Sequence, residues 1–154
     1  MPVIVVLDGI QDPGNAGAII RAAAWFEASG ILFTKGSVDP YGAKTVQASM
    51  GSVFQLPISE LERETWLEQA AQRNIPIDVL DLDGEPLEAL GKATVHAATG
   101  ARFLVIGSES HGPHALTKSA ARGRYTIPGG GAESLNAAMA ASVALYALHL
   151  LRKG

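Results

Sequence analysis

The sequence predicts an α/β domain built on a mostly parallel sheet flanked by helices. Short apolar runs alternate with stretches of helical periodicity from one end of the chain to the other. The runs at 3–7 and 103–106 are apolar at every position, as expected of strands covered on both faces. Loops rich in glycine, asparagine and aspartate follow them.

The elements follow in order. Residues 3–7, Val-Ile-Val-Val-Leu, read as a buried strand that stops at Asp8-Gly9. Helical spacing runs over 16–28, with Ile19, Ile20, Ala23 and Phe26 on one stripe and Gly30 as the stop. Residues 31–34 form a second strand, 43–50 a weak helix and 52–56 an extended segment. Residues 61–74 form an amphipathic helix with Glu60, Glu62, Glu64 and Glu68 toward its start, where the dipole favours carboxylates. Residues 77–82 and 103–106 are strands, 114–121 a short helix and 125–127 a last strand. The longest helix covers 134–152, with Leu135, Met139, Ser142, Val143, Tyr146 and Leu150 at helical spacing and Arg152 and Lys153 at its C-terminal end.

Composition narrows the class. A chain of 154 residues is one ordinary domain, and 47% hydrophobic with 18% charged residues excludes disorder. The net charge of −3 excludes a generic basic nucleic-acid binder. With no cysteine there is no disulfide scaffold, thiolate zinc site or cysteine nucleophile. No apolar run approaches the roughly 20 residues of a membrane helix, and the N-terminus lacks a signal-peptide pattern. A soluble, cytoplasmic domain is expected. Residues 54–100 hold three basic and nine acidic residues, read as a solvated face. Residues 101–154 hold six basic and two acidic residues, a balance that could meet an anion.

Ligands of open α/β sheets sit at the C-terminal ends of strands. Three loops lie there, at 8–15, 107–112 and 128–136. None carries a GxGxxG or P-loop pattern, and Gly129-Gly130-Gly131 alone is only a turn signal. Taken singly, the polar residues have ordinary readings. Asn15 caps the first helix, and Ser134 with Asn136 caps the last. Arg21 is a snorkelling surface arginine or a phosphate fork. Glu109 is a turn residue or a buried acceptor. His111 and His114 lack the carboxylates of a metal site, and His96 and His149 are structural.

Together these loops resemble the SpoU (TrmH-type) family of RNA ribose 2′-O-methyltransferases, within the knotted SPOUT superfamily. Asp8-Gly-Ile-Gln-Asp-Pro-Gly-Asn15-Ala-Gly-Ala-Ile-Ile-Arg21-Ala-Ala is similar to D-x-x-x-D-P-x-N-x-G-x-x-x-R-x-A. Phe103-Leu-Val-Ile-Gly-Ser-Glu109-Ser-His-Gly112 is similar to an apolar strand followed by G-x-E-x-x-G. Ile127-Pro-Gly-Gly-Gly-Ala-Glu-Ser134-Leu-Asn136 and the alanine-rich run after it are similar to I-P-M…S-L-N-x-x-x-A, with Gly129 in place of the family's methionine. The motifs stand in family order and span residue 3 to about residue 150.

The resemblance implies a catalytic domain over residues 1–154, a C-terminal trefoil knot and a homodimer. Many relatives carry a small RNA-binding domain before the first strand, so this chain is expected to be the catalytic part of a longer protein. The implied cofactor is S-adenosylmethionine, with product S-adenosylhomocysteine and no metal. Its implied contacts are Leu82, Gly107, Ser108, Glu109, Ile127, Gly129, Leu135, Asn136 and Ala140. The implied catalytic set is Asn15, Arg21, Glu109, Ser134 and Asn136. Arg21 would hold substrate phosphate and developing alkoxide, supported by Asn15. Glu109 would accept positioning hydrogen bonds, while Ser134 and Asn136 would shape the pocket. The glycines of 128–131 would let the backbone thread closely past another segment, and Ala137, Ala138, Ala140 and Ala141 would pack against a partner or the knot. The implied substrate is rRNA. Open alternatives are tRNA, a knotted RNA-binding or ribosome-assembly module with little turnover, and an ordinary α/β phosphate-binding domain.

Overall fold

The computed structural model describes residues 1–92 and 100–154. His96 lies outside them. The elements are β1 (Val3–Asp8), α1 (Pro13–Trp25), β2 (Gly30–Thr34), α2 (Ala43–Ala48), β3 (Ile58–Leu61), α3 (Arg63–Gln72), β4 (Ile77–Pro86), β5 (Arg102–Gly107), α4 (Ala115–Ala120), β6 (Gly123–Thr126) and α5 (Ala137–Lys153). The strands form one sheet in the order β3-β2-β1-β5-β4-β6, and every neighbouring pair is parallel. The predicted α/β class holds. No helix of the described residues is long and apolar enough to cross a membrane.

The pleat divides each central strand between two cores. Val3, Val5 and Leu7 of β1 and Leu104 and Ile106 of β5 pack with Ile19, Ile20 and Ala23 of α1 and with Ala141, Ala144, Leu145 and Leu148 of α5. Val6, Phe103 and Val105 face the other way, onto Trp66 and Ala70 of α3. The Trp66 and Phe103 rings meet edge to face at 5.6 Å. Both faces of β1 and β5 are therefore covered, which explains their unbroken apolar runs.

Several boundaries differ from expectation. Helix α1 ends at Trp25 instead of Gly30. Glu27 carries the left-handed turn at φ 57°, and Gly30 opens β2. Residues 52–56 are not extended. Met50 and Gly51 both turn left-handed, and Ser52–Phe54 closes as a 3₁₀ turn. The strand in this region is Ile58–Leu61, so Leu61 and Glu60 belong to β3 and α3 starts at Arg63. β4 runs past Leu82 to Pro86, through a bulge between Leu80 and Glu85. The face of α5 that packs inward is Ala138, Ala141, Ala144, Leu145 and Leu148. Met139, Val143, Tyr146 and Leu150, the stripe read from the sequence, face outward and are exposed.

Close backbone approach also falls elsewhere than expected. A Cβ on Gly129, Gly130 or Gly131 would meet nothing within 4 Å. At Gly84 it would lie 2.5 Å from the Arg124 carbonyl carbon and the Tyr125 nitrogen, and at Gly107 it would collide with the Gly112–Pro113 backbone. A Cβ on Gly17 would lie 2.5 Å from Ala48 Cβ and 2.7 Å from the Thr45 carbonyl oxygen, so glycine is required where α1 and α2 touch.

The basic C-terminal third is largely paired within the molecule. Arg122 Nη2 donates to both Asp78 carboxylate oxygens at 2.8 Å. Arg124 and Lys118 pair with Asp81. Arg152 donates to the carbonyls of Phe26 and Glu27, just past the end of α1. The acidic middle segment is likewise not all solvated, since Asp78 is fully buried. Buried Arg102 approaches Asp78 at 3.3 Å but leaves its Nε and Nη1 without a hydrogen-bond acceptor among the described residues. Burial pushes the Asp78 carboxyl above the usual carboxylate range, against the pull of Arg122 and Arg102. Burial lowers Arg102 from its ordinary value.

Removing one member of this pair strands the other. Asp78→Ala is expected to cost about 3–5 kcal/mol in urea unfolding at pH 7, whereas the double change Asp78→Leu, Arg102→Met regains most of that loss. Because the folded-state carboxyl is raised, its stabilising contribution is full below the unfolded value of about 3.9 and is lost as pH rises through the folded value. Stability of the double variant relative to the parent should therefore rise as pH increases from about 4. A double variant as unstable as the single would contradict this.

Candidate active site

The strand order reverses between β1 and β5, and the loops after these two strands lie side by side at the sheet's C-terminal edge. That is where an open parallel sheet leaves a crevice. The first loop enters α1 through Asp12, whose side chain accepts from Asn15 N at 2.9 Å, with Pro13 in the first helical turn. Asp12 is thus the cap, and the Asn15 side chain is left for other contacts.

Those contacts join three loops. Glu109, just past β5, accepts from Gln11 N at 3.3 Å, Asp12 N at 3.2 Å and Asn15 Nδ2 at 3.3 Å. The Asn15 Oδ1 atom accepts from Asn136 Nδ2 at 2.9 Å. Asn136 Oδ1 accepts from Ala138 N at 2.9 Å and Met139 N at 3.2 Å, capping α5. The amide orientations follow from the two ends. Helix N–H groups demand the oxygen of Asn136, and the ionised Glu109 carboxylate can only accept. Each asparagine therefore points its nitrogen along the same direction, from α5 to Glu109.

The remaining predicted residues sit around this relay. Arg21 is exposed on α1 and makes no hydrogen bond or ion pair among the described residues. It lies six residues beyond Asn15, about 9 Å along the helix axis, and Asn15 directs its amide to Glu109 and Asn136 instead. Ser134 is exposed and makes no hydrogen bond among the described residues, so only Asn136 of that pair caps α5. Ser108 Oγ accepts from Ser110 N and His111 N at 3.3 Å each, and Ser108 bridges to Gly112, folding the second loop tightly. Ser110 Oγ meets His111 Nδ1 at 2.7 Å.

Ile127 lies just past β6 and packs against the α1–α5 core. Gly129 is exposed, Leu135 is about half exposed and Ala140 is half-buried in the second turn of α5. Leu82 stands out of the β4 bulge, 66% exposed. The register sets Pro86, four residues later, opposite Thr126 at the mouth of the third loop. His114 caps α4 through its own ring, with Nδ1 accepting from Leu116 N. His149 packs on the Phe26 ring. No group of three or more histidine, aspartate or glutamate side chains among the described residues could hold a metal.

Sequence reasoning missed the role of Asp8. It is buried at the end of β1 and accepts from Arg63 Nε at 2.8 Å and Thr117 Oγ1 at 2.7 Å, with Arg63 Nη2 at 2.7 Å. Asp8 thereby ties β1 to α3 and α4 on the face opposite the relay. The signal was a lone carboxylate ending an apolar strand.

Known proteins resemble this chain in sequence and fold. The model of the SpoU rRNA methylase family matches residues 2–146. A protein of Archaeoglobus fulgidus named as an uncharacterized tRNA/rRNA methyltransferase is 35% identical over 94% of this chain and 63% of its own length. The 23S rRNA (guanosine(2553)-2′-O)-methyltransferase of Bacillus subtilis is 29% identical over 94% of this chain and 57% of its own. The crystal structure of an AdoMet-bound rRNA methyltransferase from Sinorhizobium meliloti superposes with a TM-score of 0.84 at 31% identity, covering 99% of this chain and 56% of that one. The chain thus spans a little over half the length of these relatives. With its three motif loops in place and nearly all its length matched, this chain belongs to the SpoU rRNA methylase family.

Proposed function

We propose that this chain is the catalytic domain of an S-adenosylmethionine-dependent methyltransferase that modifies a ribose 2′-hydroxyl of rRNA. The observation that carries this reading is the Glu109–Asn15–Asn136 relay, which draws the three loops together, with unpaired Arg21 farther along α1. Relatives named for 2′-O-methylation of 23S rRNA support it. So do AdoMet-bound neighbours with this fold.

The chain's own loops suit that cofactor. Residues 127–135 make no hydrogen bond to other described residues, which leaves backbone donors and acceptors for a ligand. The open space beside Gly129, Gly130 and Gly131 gives room for it. Gly107, Ser108, Ile127, Gly129 and Leu135 would line the cofactor, with Asn136, Glu109 and Ala140 behind. When bound, the cofactor supplies an electrophilic methyl group on a sulfonium. A ribose hydroxyl is a poor nucleophile at neutral pH, so the protein must orient it and stabilise charge as it loses its proton. Arg21 holds the adjoining phosphate with its planar fork and stabilises the developing alkoxide electrostatically. Asn15 and Asn136 hold the hydroxyl's position, and the proton leaves to a phosphate oxygen of the RNA or to water. The path from β6 at the sheet edge back to α1 would form the trefoil knot that the family reading includes.

The same reading includes a homodimer in the cytoplasm. Support for the dimer comes from Met139, Val143, Tyr146 and Leu150, an exposed apolar stripe along α5, with Trp25 79% exposed on neighbouring α1. The tRNA alternative remains a matter of substrate within the same chemistry.

Two measurements check these points. Arg21→Ala should lower methyl transfer to unmodified rRNA by at least about a hundredfold while S-adenosylmethionine binding by calorimetry stays within about twofold of the parent. Equal loss of cofactor binding would make Arg21 structural. Val143→Glu should turn a dimer into a folded monomer in sedimentation, since a buried unpaired charge opposes association. A parent chain that sediments as a monomer would overturn the dimer.

A further inference from the structure

We infer that Lys44 and Arg21 form a two-point clamp for the RNA backbone, with Lys44 taking a phosphate next to the one held by Arg21. The inference rests on the proposed RNA substrate and adds to it a residue outside the three motifs.

Helices α1 and α2 touch at Gly17, whose missing side chain leaves room for Thr45 and Ala48 of α2. Arg21 is one turn past Gly17, about 6 Å along the axis and turned only about 40° around it. Lys44 directly precedes Thr45, which is buried in the contact. The buried residues of α1 are Ala16, Gly17, Ile19, Ile20 and Ala23, and Arg21 stands exposed at the edge of that face, beside Gly17. On α2, Thr45 is buried and Lys44 exposed. Both cations thus stand on the outer rim of one helix–helix groove.

Their lack of a partner among the described residues sets them apart from seven of the twelve lysines and arginines of the chain. Lys35, Arg63, Arg102, Lys118, Arg122 and Arg124 face carboxylates, and Arg152 is bonded to the Phe26 and Glu27 carbonyls. Arg21 and Lys44 make no ion pair among the described residues. The side chains of α1 lean toward its N-terminus, so Arg21 reaches back over Gly17 and Ala18 toward the loop that holds Asn15. A strand of RNA with its ribose at the relay and one phosphate on Arg21 would carry a neighbouring phosphate along the groove to Lys44. A flexible ammonium suits that task, because it neutralises phosphate as a point charge without fixing a base.

The test is salt-dependent binding of a short fluorescein-labelled single-stranded RNA to the 154-residue chain. Each phosphate contact on single-stranded RNA contributes about 0.7 to the slope of log affinity against log salt. Lys44→Gln should lower that slope by about 0.7, so its affinity falls about threefold less than the parent's between about 50 and 200 mM salt. Lys44→Arg should keep the parent slope, and thermal midpoints should not move, because Lys44 is exposed. A parent slope in Lys44→Gln overturns the clamp. Inorganic phosphate at matched ionic strength should leave the RNA bound, and displacement by it would assign the site to free phosphate instead. A change in sedimentation of Lys44→Gln, with RNA binding intact, would assign the surface to a protein contact. A parent that binds RNA with the expected slope but transfers no methyl group sinks the enzymatic reading and supports the clamp. A parent that methylates rRNA with a slope indifferent to Lys44 does the reverse.

Discussion

The arrangement of the candidate site depends on one chain of amides. Asn136 must turn its oxygen to the first N–H groups of α5, so its nitrogen faces Asn15. Asn15 must then turn its own nitrogen to Glu109. Neither amide can be reversed without leaving a donor against a donor or an oxygen against an oxygen. Each bond lies near the surface and contributes only about 1 kcal/mol net. The relay therefore matters more for position than for stability. It sets the start of α1, the loop after β5 and the start of α5 at fixed distances from one another.

The rest of the fold makes that meeting possible. β1 and β5 are neighbours at the point where strand order reverses, so the first two loops begin side by side. The third begins at the sheet edge, after β6, and has to return. It can do so because α5 presents Ala138, Ala141 and Ala144 to the interior and so packs closely beside α1. Arg152 closes the far end of that contact on the Phe26 and Glu27 carbonyls that follow α1. On the opposite face, buried Asp8 holds the end of β1 to α3 and α4. Most cations of the C-terminal third are engaged with Asp78 and Asp81. Arg21 is left unpaired beside the loops, where a phosphate would find it.

Much of this was legible in the residues. The apolar runs of β1 and β5 announced strands covered on both faces, because they are short, β-branched-rich and followed by glycine-containing turns. The three motifs identified the loops that meet. The relay itself was not legible, since asparagine at a helix start is ordinarily a cap, and only coordinates show that Asp12 already caps α1. β3 was missed because an edge strand of four residues, polar at its centre, carries little pattern. Which face of α5 packs inward was not legible. Periodicity marks Met139, Val143, Tyr146 and Leu150 as one face but cannot say whether the core or another surface covers it, and alanines won the interior by letting helices approach. The positive balance of residues 101–154 misled for a similar reason, because counting charges does not reveal their partners.

The most direct measurement asks where a methyl group goes. The chain is incubated with methyl-labelled S-adenosylmethionine and unmodified rRNA, and the RNA is then hydrolysed completely in alkali. A methylated 2′-oxygen cannot attack the neighbouring phosphodiester, so label on ribose survives in alkali-resistant dinucleotides. That is the expected result. Label recovered only in mononucleotides would place the methyl group on a base and would contradict a site built by the Glu109–Asn15–Asn136 relay for a ribose hydroxyl.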